Sequence, residues 1–281
     1  MLRKGLILAA FGLAFVAGPA LASSAGPKAP REASWSFEGP FGKFDQAQVQ
    51  RGYKVYREVC AACHSMSLLS FRNLGQKHGP FFDDKYPNPN DNPYVKSIAK
   101  DYQVNDIDTE TGDVVQRTAT SADTFPSPFA NESAARASNG GALPPDLSVI
   151  IKAREEGPQY VYSILTGYVA PPAGLEVPPN QHYNPYMPGD VSAFYKGKGH
   201  VPVGGFIAMA PPLEADKVSF DDGTKSTLDQ QAKDVVAFLA WASEPKQTER
   251  KQFGVAAMIY LLIFAGLLWV SYRRIWRNVA H

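Results

Sequence analysis

The stretch Cys60-Ala61-Ala62-Cys63-His64 contains both cysteines of the 281-residue chain. Two thiols at this spacing can add to the two vinyl groups of a haem, and the adjacent histidine can then donate its Nε2 to the iron. The stretch therefore predicts one covalently bound haem c, attached through Cys60 and Cys63, with His64 as an axial ligand.

Paired cysteines also occur in redox dithiols, simple disulfides and zinc sites. A thioredoxin-like dithiol needs a βαβ setting, whereas residues 44–59 carry the apolar spacing of a helix that leads into Cys60. A zinc site needs further ligands, and the chain has no second cysteine pair. The histidine beside Cys63 favours haem over all three.

An electron-carrying haem usually has a second protein ligand, and a thioether raises the reduction potential relative to a second imidazole. Met66 lies too close to His64 along the chain to reach the opposite face of the haem. Met209 has apolar neighbours and a following double proline, which would exclude water and stiffen the loop. This favours Met209 over Met187. The other candidates are histidines expected at the surface: His78, His182 and His200.

Both ends of the chain are apolar. Residues 1–22 have a charged start, an apolar middle and the ending Ala20-Leu21-Ala22, which is typical of a cleaved secretory signal peptide. Residues 253–272 form an uncharged apolar run that is about 30 Å long as a helix, enough to span a membrane. Basic residues flank this run on both sides, in 246–252 and 273–281.

These ends predict a single-pass protein of a bacterial inner membrane. The haem domain, residues 23–245, would lie in the periplasm, and the tail 273–281 would lie in the cytoplasm. A signal peptide exports the body, and an Arg-rich tail on the cytoplasmic side agrees with the positive-inside rule.

The exported body is acidic, although the whole chain has a net charge of +1. Residues 23–245 contain 20 basic and 26 acidic residues, a net charge of −6. This favours a basic partner and argues against nucleic acid. We expect the docking face for that partner among six acidic residues: Asp83, Asp84, Glu214, Asp216, Asp221 and Asp222.

The body is predicted to be mainly α with long ordered loops and few strands. Pro- and Gly-rich stretches make 75–128 and 171–212 largely loop. Asp146 is expected to cap one helix, and Pro245 can interrupt the last helix before the membrane. Apolar spacing and capping residues predict helices over 44–59, 92–100, 147–156, 159–166 and 226–243.

Further segments extend the pattern beyond the haem motif, and together they resemble the cytochrome c1 family, the haem subunits of the cytochrome bc1 complex (ubiquinol–cytochrome c reductase). The matches occur in the same order and cover most of the body, which is more specific than the haem motif alone. They are residues 35–42, 60–64, 134–136, 141–148, 160–162, 184–186, 207–213, 220–223 and 241–245.

The resemblance implies a class I cytochrome c-like haem domain with long loop insertions and one C-terminal transmembrane helix. It implies that Met209 is the axial sulfur ligand and that Arg154 pairs with a haem propionate, which a buried carboxylate needs. The remaining pocket residues that it implies are Asn139, Pro144, Pro145 and Tyr160.

Two departures from the family pattern concern the region around Met209. Residues 187–204 form an insertion relative to mitochondrial-type members. Some bacterial relatives brace this region with a second cysteine pair, which this chain lacks.

The resemblance also implies an electron relay inside a proton-translocating complex, and not an enzyme acting alone. Its partners would be cytochrome b and a mobile Rieske iron–sulfur subunit, with a soluble or membrane-tethered c-type cytochrome as acceptor, in a dimeric complex. Three alternatives remain: a haem enzyme such as a peroxidase, a tethered thiol oxidoreductase, and a c-type subunit of a terminal oxidase or nitric oxide reductase. The C-terminal position of the span argues against the last.

Overall fold

The computed structural model describes residues 26–279, so the predicted signal peptide lies outside the described residues. The prediction of a mainly α chain is confirmed. In the described part the helices are α1 (Gln46–Val55), α2 (Pro93–Lys100), α3 (Glu132–Ser138), α4 (Gly157–Thr166), α5 (Leu228–Ser243) and α6 (Gln247–Trp276). Two antiparallel pairs join β1 (Gln103–Ile107) to β2 (Val114–Thr118) and β3 (His182–Asn184) to β4 (Gly205–Ile207).

The centre of the domain is the contact between α1 and α5. A Cβ on Gly52 would lie 1.9 Å from the Asp234 carbonyl oxygen, so only glycine permits this approach of the two helices. Next to it, Arg51 Nε donates to the fully buried carboxylate of Asp234 at 2.8 Å. Tyr53 packs edge-on against Phe238, with ring centroids 5.6 Å apart. Close backbone approach, a buried ion pair and aromatic packing together fix α1 on α5.

The helix predicted over 44–59 is divided in the structure. α1 ends at Val55, and a π-helical turn, Tyr56–Cys60, follows it. The Ala61 N–H donates to the Tyr56 carbonyl at 2.8 Å, which is the longer spacing of that turn. Wider turns of this kind are frequent at functional sites, and this one ends on the first cysteine of the motif.

The helix predicted over 147–156 is wrong. The segment forms a series of turns, and α4 begins after it at Gly157. Leu147, Ile150 and Ile151 are each buried in the core, whereas Val149 is exposed. The Leu147 N–H donates to the Ser65 carbonyl at 2.8 Å instead of entering a helix. Glu156 has a φ of 47°, a left-handed conformation that interrupts any continuous helix into α4. Tertiary contacts therefore replaced the local helical pattern.

The predicted insertion, residues 187–204, lies between β3 and β4. Val191, in the insertion, is buried with Leu175 and Tyr183, which precede it, in a small cluster that is separate from the main core. An isolated bridge pairs Leu175 with Tyr195 and holds the two sides of this lobe together. We call residues 174–206 the distal lobe. It is loop-rich, as predicted, but it has its own core.

The last two helices are separate, because α5 ends at Ser243 and α6 begins at Gln247, on either side of Pro245. α6 has 30 residues, and none of its most apolar window is buried by the rest of the chain. That window has a mean hydropathy of 2.4, so α6 is long and apolar enough to cross a membrane. It contains the predicted span 253–272 and extends beyond it at both ends.

Candidate haem site

The cysteine–histidine stretch folds as one compact turn. The N–H groups of Cys63 and His64 both donate to the Cys60 carbonyl, at 3.1 and 2.9 Å. Cys60 is half-buried and packs against the main core, whereas Cys63 is exposed. The turn therefore presents two free thiols and an imidazole within five residues, the arrangement that covalent haem attachment needs.

The His64 ring is oriented by one hydrogen bond. Its Nδ1 lies 2.8 Å from the Pro145 carbonyl oxygen. A carbonyl can only accept, so Nδ1 carries the proton and Nε2 keeps a lone pair for a metal ion. Burial lowers the pKa of His64 below its ordinary value, which keeps the ring neutral. The imidazole is thus held in the tautomer that an iron ligand requires.

Asp146, the residue after Pro145, holds the segment that follows His64. Its carboxylate accepts from the Ser65 hydroxyl at 2.8 Å, from the Ser67 N–H and hydroxyl at 2.9 and 2.7 Å, and from the Ser148 N–H at 2.7 Å. Burial by itself raises the pKa of Asp146, but the bonds from Ser148 and Ser67 outweigh it and hold that pKa well below its usual range. We call Asp146 with these three serines the Asp146 network.

The cysteine chemistry agrees with attachment rather than thiol exchange. Burial raises the pKa of the Cys60 thiol to about 12, whereas a redox-active dithiol needs a lowered thiol pKa. Within residues 26–279, no group of three or more His, Cys, Asp or Glu side chains could hold a metal ion.

The pocket residues implied by the resemblance lie on the elements that follow. Asn139 ends α3 and donates from Nδ2 to the Ala135 carbonyl at 2.7 Å. Pro144 is half-buried, and the exposed Pro145 supplies the carbonyl that orients His64. Tyr160 lies half-buried on α4. These residues lie on one continuous stretch of chain, 139–160, which runs from the end of α3 into α4. Its Pro145 carbonyl is the group that contacts His64.

The role of Arg154 as a propionate partner stays a prediction. The residue is exposed, and its Nη1 donates to the Ala153 carbonyl at 2.9 Å. It makes no ion pair with any carboxylate in the described part of the chain. A guanidinium that has no acidic partner among the described residues can donate to a carboxylate of a bound group.

The two candidate sulfur ligands have different surroundings. Met209 is half-buried against the main core, and the Tyr168 hydroxyl donates to its carbonyl oxygen at 2.9 Å. The Met187 sulfur lies 3.8 Å from the Tyr160 hydroxyl, which donates to it. The Met187 sulfur therefore already accepts a hydrogen bond, from Tyr160. In Met209 the hydrogen bond is made by the backbone carbonyl and not by the sulfur. Met66 is fully buried in the core, as its exclusion requires.

Of the histidines considered as ligands, His78 follows the 3₁₀ turn Phe71–Gly75, and His200 is exposed. His182 is half-buried in β3, where it pairs with Ile207, two residues before Met209.

The six acidic residues predicted to dock a partner do not behave alike. Asp221 pairs with Lys54 at 2.8 Å, and Asp222 pairs with Arg51 at 2.7 Å. These two carboxylates are therefore partly neutralised by α1. The other four are exposed or half-buried: Asp83, Asp84, Glu214 and Asp216. The docking face stays a prediction.

Some residues that hold the site were not indicated by the sequence. Ser65, Ser67 and Ser148 are small polar residues in loops, and no spacing distinguishes them from ordinary surface serines. Asp146 was noted only as a helix cap. Tyr168 gave no signal, because its bond to the Met209 carbonyl joins residues 41 positions apart.

The amino-acid sequence is similar to those of known proteins. The sequence model of the Cytochrome C1 family matches residues 35–279. A "Cytochrome c1" of Rhodospirillum rubrum is 38% identical and covers 98% of this chain and 97% of its own length. A "Cytochrome c1, heme protein, mitochondrial" of Saccharomyces cerevisiae is 43% identical over 85% of this chain and 69% of the relative.

A longer relative shares the same region. A "Cytochrome b/c1" of Bradyrhizobium diazoefficiens is 38% identical over 98% of this chain, and the chain spans 41% of that relative's length. The family match covers most of the residues, including the whole haem turn and α6. The chain therefore belongs to the cytochrome c1 family, whose members carry one covalently bound haem c.

Proposed function

We propose that this chain is the haem-bearing electron-transfer subunit of a cytochrome bc1 complex, a proton-translocating ubiquinol–cytochrome c reductase. The observation that carries the proposal is the hydrogen bond from His64 Nδ1 to the Pro145 carbonyl. It prepares an iron ligand immediately after two cysteines at haem-attachment spacing. The paired name of the Bradyrhizobium relative, "Cytochrome b/c1", supports cytochrome b as a neighbour.

In this proposal the chain's side chains divide the work of holding the haem. Cys60 and Cys63 form the thioether links, and His64 and Met209 are the axial ligands. Arg154 neutralises a propionate. When bound, the haem supplies reversible one-electron chemistry, and two protein ligands let both redox states keep the same coordination. Asn139, Pro144, Pro145 and Tyr160 line the pocket.

The electron partners follow from the complex. A Rieske iron–sulfur subunit donates one electron to the haem, and a soluble or membrane-tethered c-type cytochrome accepts it. The acidic body, with a net charge of −6 over residues 23–245, supports a basic acceptor. An acidic face speeds encounter with such an acceptor most at low ionic strength.

The membrane arrangement completes the proposal. The signal peptide, residues 1–22, is cleaved, and the haem domain, residues 23–245, lies in the periplasm of a bacterium. α6 crosses the inner membrane once through residues 253–272 and leaves a short Arg-rich cytoplasmic tail. The whole complex is a dimer.

A pair of matched methionine variants tests the ligand set. The haem-loaded wild-type chain in its complex should be low-spin when reduced and should not bind carbon monoxide. Met209→Leu should become high-spin and bind carbon monoxide, because the sixth position opens. Met187→Leu should leave the spectrum unchanged, because the Met187 sulfur is engaged by Tyr160.

Two results would contradict the proposal. If Met187→Leu and not Met209→Leu opens the iron, the ligand assignment is wrong. If the purified membrane complex contains no cytochrome b and no Rieske subunit, the assignment to a cytochrome bc1 complex is wrong.

A further inference from the structure

One aromatic side chain near the start of the described chain is not covered by protein. Phe37 is buried, and it stacks on both Trp35 and Phe44 with ring centroids 5.7 and 4.9 Å apart. Phe41, in the same segment, is 75% exposed. A single exposed aromatic side chain is common on protein surfaces, so only its position can indicate a binding role.

Phe41 is displayed by a preformed loop. The Lys43 N–H donates to the Ser36 carbonyl at 2.9 Å, which closes the loop. Gly39 has a φ of +70°, and a Cβ on Gly42 would lie 1.9 Å from the Glu38 carbonyl oxygen. Both glycines are therefore required by the backbone path. The loop holds Phe41 outward without a further ordering cost. We call residues 36–43 the aromatic loop.

The aromatic loop is attached to the start of α6. Lys251 Nζ donates to the Phe37 carbonyl at 2.6 Å and reaches the Gly42 carbonyl at 3.5 Å. Lys251 precedes Phe253, the first residue of the apolar run, by two positions, which is about 3 Å along a helix axis. Phe41 is the neighbour of Gly42. The loop therefore lies at the level where α6 enters the hydrocarbon core, within the headgroup layer.

Positive charge accompanies the exposed ring. Lys43 ends the loop, and Lys77 lies on a second segment whose neighbour Gln76 donates to the Pro245 carbonyl at 3.3 Å. Burial lowers the pKa of the neighbouring His78, and the charges of Lys77 and Lys43 lower it further, whereas Glu249 raises it. Lys43 and Lys77 are exposed, and neither joins an ion pair with the residues described.

We infer that the aromatic loop and Lys77 form a second contact with the lipid bilayer, in which Phe41 enters the interface and Lys43 and Lys77 bind phospholipid phosphates. An outward aromatic between lysines at the headgroup level is the pattern of an interfacial anchor. This contact fixes the rotation of the haem domain about α6, which a single helix after a proline break cannot do. The inference rests on the proposed membrane anchoring by α6.

Spin labels on the haem-loaded chain in its complex, reconstituted in nanodiscs of phosphatidylcholine and phosphatidylglycerol, measure the depth of Phe41. Both native cysteines of this chain are then bound to haem, so Phe41→Cys adds one labelling site, and the labelled wild-type complex gives the background signal from the other subunits. Val114→Cys is the matched control, because Val114 is 71% exposed on a hairpin with no hydrogen bond or ion pair to α6 among the described residues. Ile263→Cys, within α6, reports on the anchor itself.

The expected result is a severalfold higher ratio of oxygen to nickel-complex accessibility at residue 41 than at residue 114, approaching the ratio at residue 263. A water-like ratio at residue 41 with a lipid-like ratio at 263 overturns the inference alone. Low accessibility to both reagents at residue 41 means that another subunit covers it, which also overturns the inference. A water-like ratio at 263 instead contradicts the anchor.

Charge variants test the lysines separately. Lys43→Gln with Lys77→Gln should lower the affinity for phosphatidylglycerol by about fivefold per lysine, the effect typical of a lysine near an anionic surface. Native mass spectrometry of lipids retained by the complex measures this. Lys100→Gln with Lys225→Gln is the control, since both are exposed lysines elsewhere. Equal lipid retention in the two double variants overturns the phosphate contact.

Discussion

The two sides of the proposed iron site are built differently. On the histidine side, the Cys60 turn is held by short bonds to one neighbouring loop, including the bond to Pro145 and the Asp146 network. On the methionine side, Met209 follows the distal lobe, whose own core has three buried residues. One observed bond, from Tyr168, holds the Met209 backbone to another element.

The two sides differ in what would hold each axial ligand in place. On the histidine side, attachment at Cys60 and Cys63 would already hold the haem next to His64, and the observed hydrogen bond to Pro145 fixes the His64 tautomer. The methionine side must close by long-range packing, because no covalent link helps it. We therefore expect the methionine side to open first, with the histidine side intact. Local openings of this kind usually occur where few apolar contacts are buried.

The largest expected effect comes from removing the Asp146 carboxylate. Asp146→Ala should lower the free energy of unfolding by about 3 kcal/mol, because bonds to a charged acceptor are strong and its donors are left unpaired. Chemical denaturation of the haem-loaded protein measures it. Asp146→Asn is the control of similar shape, which should lose less. A loss below about 0.5 kcal/mol for Asp146→Ala would contradict the bracing role.

The same network predicts a pH dependence. The pKa of Asp146 is depressed in the folded state, so its stabilisation is fully present above the unfolded pKa of about 3.9 and is lost as pH falls through the folded value. The difference in stability between wild type and Asp146→Asn should therefore be constant near neutral pH and shrink below about pH 4. An unchanged difference down to about pH 2 would show that the charge contributes nothing.

A smaller, local effect is expected in the distal lobe. Val191 is 1% exposed, and Val191→Ala should reduce the stability of residues 174–206 by about 2 kcal/mol, through lost burial and a cavity. Hydrogen exchange should then be roughly thirtyfold faster in the lobe alone. The control, Val236→Ala in the main core, should instead lower global stability. Equal loss of protection across the whole domain after Val191→Ala would refute a separate lobe.

The smallest expected effect isolates the link to Met209. Tyr168→Phe removes one hydrogen bond, worth about 1 kcal/mol, so the opening of the Met209 loop should become about fivefold more frequent. The rate at which imidazole displaces the sulfur from ferric haem measures this opening. Tyr183→Phe is the control, because its hydroxyl donates to the Val203 carbonyl within the lobe. Equal rates in both variants would remove Tyr168 from the positioning of Met209.

Some local elements were predictable because neighbouring residues determine them. α2 begins after Asn92, within one residue of the predicted start, and the Asn92 side chain accepts from the N–H groups of Tyr94 and Val95. Thr227 caps α5 in the same way, close to the predicted start. The absence of a helix over 147–156 was not predictable, since the Leu147 N–H donates to the carbonyl of Ser65, about 80 residues away.

The sequence by itself determined the chemistry and the order of parts. Cys60, Cys63 and His64 predict haem attachment through their spacing alone, and the apolar run 253–272 predicts a spanning helix through its length alone. These signals are contiguous in the chain, so no fold is needed to read them.

Only the tertiary structure decided how the site is held. In the folded chain the Pro145 carbonyl fixes the His64 tautomer, serines donate to Asp146, and the Tyr168 hydroxyl donates to the Met209 carbonyl. The contacts of His64 with Pro145, of Ser65 with Asp146 and of Tyr168 with Met209 each join residues separated by more than 40 positions. Hydrogen bonds of this kind depend on geometry that exists only after the core has formed.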